Sequence, residues 1–278
     1  MINILFGGNH KVFDGILLCL MSMTKHCSDV LNVYILTADV SEINTNYKPI
    51  TNYQISILDN VLKTTNPNSK IKLIKLGKEF NNWVYSSSNK LNFYTPFAFL
   101  RLFADKIENL PNKIIYLDTD IMLNGNIKEL FDVDISNYEL GIVKDRYGHF
   151  FINPKYFNSG MLLMNINKIK DTKLLDKVRK MCATKKMKFP DQSALNKFSK
   201  FKLYLPRKFN EQGKLQQDTV VQHFSKRFKL FPFFHTTNIK PWQIKDIQNK
   251  YHCHAYDNVY DEYLKIKSNM KSKLHEKY

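Results

Sequence analysis

The chain has 278 residues, 44% of them hydrophobic and 13% aromatic, enough to bury a substantial core and too apolar for a disordered protein. Lys and Arg number 42 against 25 Asp and Glu, and the net charge of +17 asks for an acidic partner: a phosphorylated substrate, an anionic lipid surface or nucleic acid. The basic residues are dispersed and no nucleic-acid-binding module is present, which excludes the last of these.

Residues 1–6 lack the basic opening of a signal peptide, and the most apolar later run, 15–23, is too short to span a bilayer. In chain order, residues 3–6 read as a buried strand stopped by Gly7, Gly8 and Asn9. Residues 12–23 repeat apolar side chains on one helical face through Val12, Ile16, Leu20 and Met23, and 30–36 is again strand-like. This β-α-β opening builds parallel sheets, whose ligands sit at the carboxyl ends of the strands. The Gly7-Gly8-Asn9 turn therefore lies where a nucleotide is expected, although ordinary turn chemistry places the same residues there.

A helix is expected at 52–62, a strand at 71–76, a polar loop at 83–92 and an aromatic helix at 96–104. Residues 113–117 form the clearest buried strand, and Asp118-Thr119-Asp120 follows at once. Strands are also expected at 161–165 and 219–222, and helices at 174–182 and 191–197. From Trp242 the composition turns to Lys and Tyr with helical periodicity, so a body of residues 1–242 is expected to carry a helical appendage, 243–278. The cysteines, Cys19, Cys27, Cys182 and Cys253, have neither metal-ligand spacing nor a disulfide framework, which fits a reducing cytoplasmic compartment; Cys19 reads as a small core residue.

Two carboxylates one residue apart at a strand tip can meet one hard cation, magnesium or manganese, while leaving sites for substrate phosphates. Burying Asp118 and Asp120 together without a cation or hydrogen bonds is costly. The alternative is a capped loop beside the Asn124-Gly125 turn.

The context of that motif resembles glycosyltransferase family eight, which includes lipopolysaccharide galactosyl- and glucosyltransferases and glycogenin. Ile4-Leu5-Phe6-Gly7-Gly8-Asn9 is similar to the family's uridine-binding strand and loop, and Arg101-Leu102 to its arginine helix. Ile115-Tyr116-Leu117-Asp118-Thr119-Asp120 is similar to its metal motif. Tyr156-Phe157-Asn158-Ser159-Gly160, Asp191-Gln192 and Lys240-Pro241-Trp242 follow in the family's order. The resemblance implies an α/β fold, a single Rossmann-like nucleotide-sugar-binding domain of the GT-A type with a mixed sheet and a small helical C-terminal appendage.

Carried over, it implies Asp118 and Asp120 as metal ligands and Lys240 on the donor diphosphate. Gly7, Gly8 and Asn9 would approach the uridine, with Ser159 also on the donor. Arg101, Asp145, Asn158, Asp191 and Gln192 would line the donor-sugar pocket, with Gln192 on the reacting face. On their chemistry alone, Arg101 equally suits a structural ion pair, Asn158 a turn holding its own backbone and Asp145 a solvated loop. The family's third metal ligand, a histidine, has two candidates: His223, which ends a strand, and His235, which has the better spacing to Lys240. Residues 225–234 read as an insertion between them. The opening loop also departs, with Gly8-Asn9-His10 where acidic residues are usual.

The implied reaction is retaining, metal-dependent transfer of galactose or glucose from a UDP-hexose to a saccharide or glycolipid acceptor, such as a lipopolysaccharide precursor. The rival is a sugar-1-phosphate nucleotidyltransferase, which needs a basic, glycine-rich triphosphate loop; residues 7–11 are a poor version. In the tail, Lys245, Lys250, Lys265, Lys267, Lys271, Lys273 and Lys277 interleave with Trp242, Tyr251, Tyr256, Tyr260 and Tyr263. That mixture suits the anionic inner face of a membrane; a solvated helix with a packed Tyr face is the alternative.

Overall fold

Strands with apolar residues on both faces require cover on both sides, and the chain supplies it. In the computed structural model, residues 1–90, 95–229 and 235–275 are described. The strands are β1 (Ile2–Gly7), β2 (Leu31–Ala38), β3 (Lys70–Leu76), β4 (Lys113–Leu117), β5 (Ile121–Leu123), β6 (Leu140–Lys144), β7 (Phe157–Asn165), β8 (Lys202–Tyr204), β9 (Val221–His223), β10 (Arg227–Lys229) and β11 (His235–Thr237). Seven of them form one sheet in the order β3-β2-β1-β4-β7-β6-β8. Every neighbouring pair is parallel except the two that β7 makes with β4 and β6.

Alternation sends successive side chains to opposite faces. Ile4 and Phe6 of β1, Ile115 and Leu117 of β4, and Met161 and Leu163 of β7 join one core with the helix Phe13–His26. Leu5, Ile114, Tyr116, Leu162 and Met164 join the other, against the 3-10 helix Pro96–Lys106 and the helices Ile166–Thr172 and Leu174–Thr184. The result is a sheet between two helical layers, with the ends of β1 and β4 side by side at one edge. Register sets Leu5 beside Tyr116, so the Gly7-Gly8 turn emerges next to Asp118.

The segment after β4 is pinned from both sides. β5 pairs antiparallel with β9, aligning Ile121 with His223, and the Phe224 amide donates to the Asp120 carbonyl (2.9 Å). From the helix Phe13–His26, Gly15 comes so close that a Cβ there would fall 2.0 Å from the Thr119 carbonyl oxygen and 2.9 Å from the Trp242 ring. Only glycine admits that approach.

Two expectations are corrected and one is refined. The polar loop expected from residue 83 is instead the end of the helix Lys78–Ser86; Trp83 packs edge-on against Phe99 and Phe103, and this burial outweighs the polar composition. Positions 91 and 92 lie outside the described residues. The aromatic helix expected after Pro96 is present, and its geometry is that of a 3-10 helix. The tail's tyrosines are not displayed for a membrane: Tyr256, Tyr260 and Tyr263 are buried in the core shared with the helix Phe13–His26. Lys267 pairs with Asp14 at 2.7 Å and Lys25 with Glu262 at 2.5 Å, fastening the helix Asp257–His275 along that first helix. Lys245, Lys250 and Lys265 face solvent; Lys277 lies outside the described residues. No described helix is long and apolar enough to cross a membrane. All four cysteines are free, and Cys19 is fully buried.

Candidate active site

The tip of β4 gathers charge in a small volume. Asp118, Asp120 and His223 each turn one ligand atom toward a common point, the three atoms lying within 4.8 Å of one another. His223 Nε2 is 3.1 Å from Asp120 Oδ1 and 4.0 Å from Asp118 Oδ2. The other oxygens are occupied. Asp118 Oδ1 accepts from Tyr116 Oη and Arg101 Nη2, both at 2.8 Å, and Asp120 Oδ2 takes Lys240 Nζ at 2.5 Å.

Asn210 fixes the imidazole. Its Nδ2 donates to Asn158 Oδ1 (3.1 Å), so its Oδ1 is left to accept from His223 Nδ1 at 3.0 Å. That assignment puts the proton on Nδ1 and aims the Nε2 lone pair at the acids, the arrangement in which a metal-binding histidine is held by its other ring nitrogen. Two lone-pair atoms 3.1 Å apart call for a proton or a cation between them. Gly160 completes the cradle: a Cβ there would lie 2.2 Å from the His223 ring and 2.8 Å from Asp118 Oδ2. Two carboxylate oxygens, one neutral imidazole and room between them fit a manganese- or magnesium-sized ion.

Burial alone would raise the Asp120 carboxyl, but Lys240, with His223 adding to it only when protonated, outweighs this and holds the group well below the usual carboxylate range. Asp191 goes the other way: burial raises it, and Arg101, 3.6 Å away, only partly offsets this. Its place in the first turn of the helix Pro190–Phe198 adds the favourable end of a helix dipole.

Arg101 takes up the structural ion pair that its chemistry also suits. Its Nε donates to Ala98 O (3.0 Å), its Nη1 to Ser159 O (2.5 Å), and its Nη2 meets Asp118 and Asp191. The guanidinium lies over the Tyr116 ring and is 5% exposed, so it holds the acids in place.

The remaining expected residues form a second cluster. Gln192 Oε1 accepts from the Ser159 amide (3.1 Å) and Oγ (3.3 Å), while its Nε2 donates to Asp145 Oδ2 (3.4 Å). Asp145 Oδ2 also accepts from Asn158 Nδ2 (3.0 Å), and Oδ1 from the amides of Tyr147 and Gly148. Asn158 Oδ1 accepts from the Gly160 amide (2.9 Å) as well as from Asn210. Asp145 is thus a bonded member of the network, and Asn158 both holds its own backbone within β7 and reaches the His223 support. Gly7 and Gly8 close β1, and buried Asn9 accepts from the Lys11 amide (3.2 Å), capping the following turn.

His235 stands apart from the acids, exposed on β11, where residues 227–229 and 235–237 pair as a hairpin. Positions 230–234 of the expected insertion lie outside the described residues. Asn210 and Tyr116, which brace His223 and Asp118, were not singled out as site residues by sequence reasoning. Tyr116 sits inside a quoted motif; Asn210 lies in a stretch with no periodic or motif signal.

Sheet order, reversed β7 and the acid pair at the sheet's edge define a GT-A-type nucleotide-sugar fold. The solved structure of GlyE from Streptococcus pneumoniae TIGR4 matches with a TM-score of 0.64 at 17% identity, covering 95% of this chain and 63% of that one. The galactosyltransferase LgtC, solved with donor and acceptor sugar analogs, matches with a TM-score of 0.59 at 18% identity, covering 80% of this chain and 86% of that one. These likenesses show the fold. Residues 3–246 match glycosyl transferase family 8, and the chain belongs to that family. Lipopolysaccharide 1,2-glucosyltransferase of Escherichia coli K12 is 28% identical over 163 residues, 52% of this chain and 48% of that protein. Glycosyltransferase GlyF of Streptococcus pneumoniae serotype 4 is 30% identical over 131 residues, 46% of this chain and 31% of that protein. The chain therefore spans about half or less of each of these two curated relatives. Family membership sets aside the nucleotidyltransferase alternative.

Proposed function

We propose that this chain is a retaining glycosyltransferase that moves a hexose, galactose or glucose, from a UDP-sugar to a saccharide acceptor, with a divalent cation held by Asp118, Asp120 and His223. The observation that carries the reading is the convergence of Asp118 Oδ2, Asp120 Oδ1 and His223 Nε2, with Lys240 on the far side of Asp120. The cation, when bound, supplies Lewis-acid stabilisation to the donor's diphosphate.

The chain's own residues do the rest. Lys240, a compact cation, neutralises charge that builds on the leaving diphosphate. Arg101 and Tyr116 keep Asp118 oriented, and Asn210 keeps the lone pair of His223 directed at the metal position. Gly7 and Gly8, beside Asp118 at the sheet's edge, leave room for the nucleoside. Gln192, oriented by Ser159 and Asp145, lies on the reacting face of the sugar, where its amide steadies developing positive charge. Asp145 and Asp191 are each already bonded or ion-paired, so neither is free as a nucleophile; the departing phosphate oxygen then assists the acceptor hydroxyl on the same face. A lipopolysaccharide or other cell-surface glycan precursor is the acceptor class suggested by the glucosyltransferase relative.

The test is hydrolysis of a panel of UDP-sugars with manganese and no acceptor. UDP release from UDP-glucose or UDP-galactose, abolished by a chelator and restored by manganese, is expected. Turnover indifferent to the chelator, or absent with every UDP-sugar, would overturn the proposal.

A further inference from the structure

Strand β9 carries chemistry on both faces. His223 turns toward the acids, and by strand alternation its neighbour Gln222 turns away from them. Behind the strand is a cavity of about 210 Å³, lined by Gln222, Phe224, Arg227, Tyr251, His252 and Lys214. Among the described residues, four buried side-chain polar atoms lack a hydrogen-bond partner, and two of them belong to residues that line this cavity. Gln222 Oε1 and Arg227 Nε belong to lining residues, and Tyr256 Oη to a ring that meets the lining Phe224 edge-on. A buried donor or acceptor left unmet is costly, so such a concentration needs a reason.

The amide of Gln222 is fixed by its neighbours. Its Nε2 donates to the carbonyls of Glu211 and Gly213, both at 3.0 Å; a flipped amide would set oxygen against oxygen. Oε1 therefore demands an outside donor. Arg227 stacks on Tyr251 at 3.9 Å and donates from Nη2 to Gly213 O (2.7 Å), but no carboxylate pairs with it among the described residues. Glu211, the acid of the adjoining loop, is paired with Arg207. More positive charge gathers here: Arg146 Nη1 presses against Gly213, and exposed Lys214 stands at the cavity. Burial pushes the Arg227 guanidinium below its ordinary value; Arg146 adds to this, and Tyr251, Tyr147 and Glu211 only partly oppose it.

We infer that this cavity is a binding site for a small oxyanion that also carries a hydroxyl, the anionic oxygens meeting Arg227 and Lys214 and the hydroxyl donating to Gln222 Oε1. A water molecule could join Nε to Oε1, but it would leave Arg227, Arg146 and Lys214 with Glu211, itself paired with Arg207, as their nearby acid. Phosphate monoesters and hydroxylated carboxylates such as sugar acids share the required chemistry. The site is separate from the donor corner and stands whether or not the transferase proposal holds.

Calorimetric titration of inorganic phosphate and of glucuronate, at ionic strength held constant with chloride, tests it on wild type, Arg227→Gln, Lys214→Glu and Lys240→Ala. Saturable binding of at least one anion is expected, weakened about tenfold or more in Arg227→Gln, since a charge-assisted bond is lost. Binding should weaken severalfold in Lys214→Glu, and the component lost in Arg227→Gln should persist in Lys240→Ala, which removes only a cation of the donor corner. Lys214 is exposed, so that variant decides the matter if Arg227→Gln fails to fold. Preference for phosphate or for glucuronate identifies which class the site takes. No saturable binding of either anion means that the cavity holds water alone. Wild-type affinity in the Arg227 or Lys214 variants, or a loss confined to Lys240→Ala, would equally overturn the assignment.

Discussion

Arg101 and Arg227 are built alike: each guanidinium lies over a tyrosine ring, Tyr116 at 4.3 Å and Tyr251 at 3.9 Å. Their surroundings differ. Burial acts to lower Arg101, but Asp118, Tyr116 and Asp191 outweigh it and the group ends above its ordinary value. Burial also lowers Arg227, and there no paired carboxylate restores it. A buried cation closed in by acids organises a site; one left open leaves its charge for something that arrives from outside. Arg101 holds Asp118, toward which His223 of β9 points, while Arg227 lines the cavity that Gln222 of the same strand faces, so the two faces of one short strand serve different ends.

The comparison can be broken most forcefully at Arg101. Arg101→Met leaves Asp118 and Asp191 near one another without their shared counter-charge, and unfolding by urea should show a loss of about 3–5 kcal/mol. A loss well under that range would mean that the acids are held by their other contacts. Next in size, Lys240→Ala should lower kcat for UDP-sugar turnover by roughly 10²–10³-fold, as removal of a charge-stabilising donor does. A change confined to KM would make Lys240 a binding residue only. Asn210→Ala removes the acceptor that orients His223 and should weaken manganese affinity by about 10–100-fold, the usual cost of a lost supporting contact to a metal ligand. The smallest effect sharpens the contrast with Arg101: Arg227→Gln should change stability by no more than about 1 kcal/mol, because no ion pair is broken. A loss as large as that of Arg101→Met would show Arg227 to be a structural cation.

The part of this that the sequence discloses follows from how locally it is encoded. Residues 3–6, 113–117 and 161–165 are legible as strands because a sheet covered on both faces leaves apolar runs, and each lies within an observed strand. The helix at 191–197 is legible from its period and matches Pro190–Phe198 within a residue at each end. The reversed direction of β7 has no local signature, since an antiparallel strand buried on both faces reads like a parallel one. β5, β8, β10 and β11 are three residues each and go unseen for want of length.

At the site, the acids and Lys240 are visible because the chemistry needs those side chains at fixed places in the chain. The two histidines could not be separated by spacing. It is the β5–β9 register, aligning Ile121 with His223, that brings His223 to the acids and leaves His235 on a hairpin. Arg101 shows the reverse limit: its motif marks it as near the donor, while the contacts that occupy all its nitrogens arise only from the fold. The tail teaches the same lesson through Tyr256, Tyr260 and Tyr263, whose spacing suits a membrane interface or a packed face equally until the first helix is found beneath them.

Manganese binding measured by electron paramagnetic resonance in the presence of UDP tests the central claim most directly. Wild type should bind a single ion tightly, and Asp120→Asn and His223→Ala should each lose at least about tenfold in affinity, whereas His235→Ala should bind as wild type does. Undiminished binding in the Asp120 and His223 variants, or a loss that appears only in His235→Ala, would contradict the account.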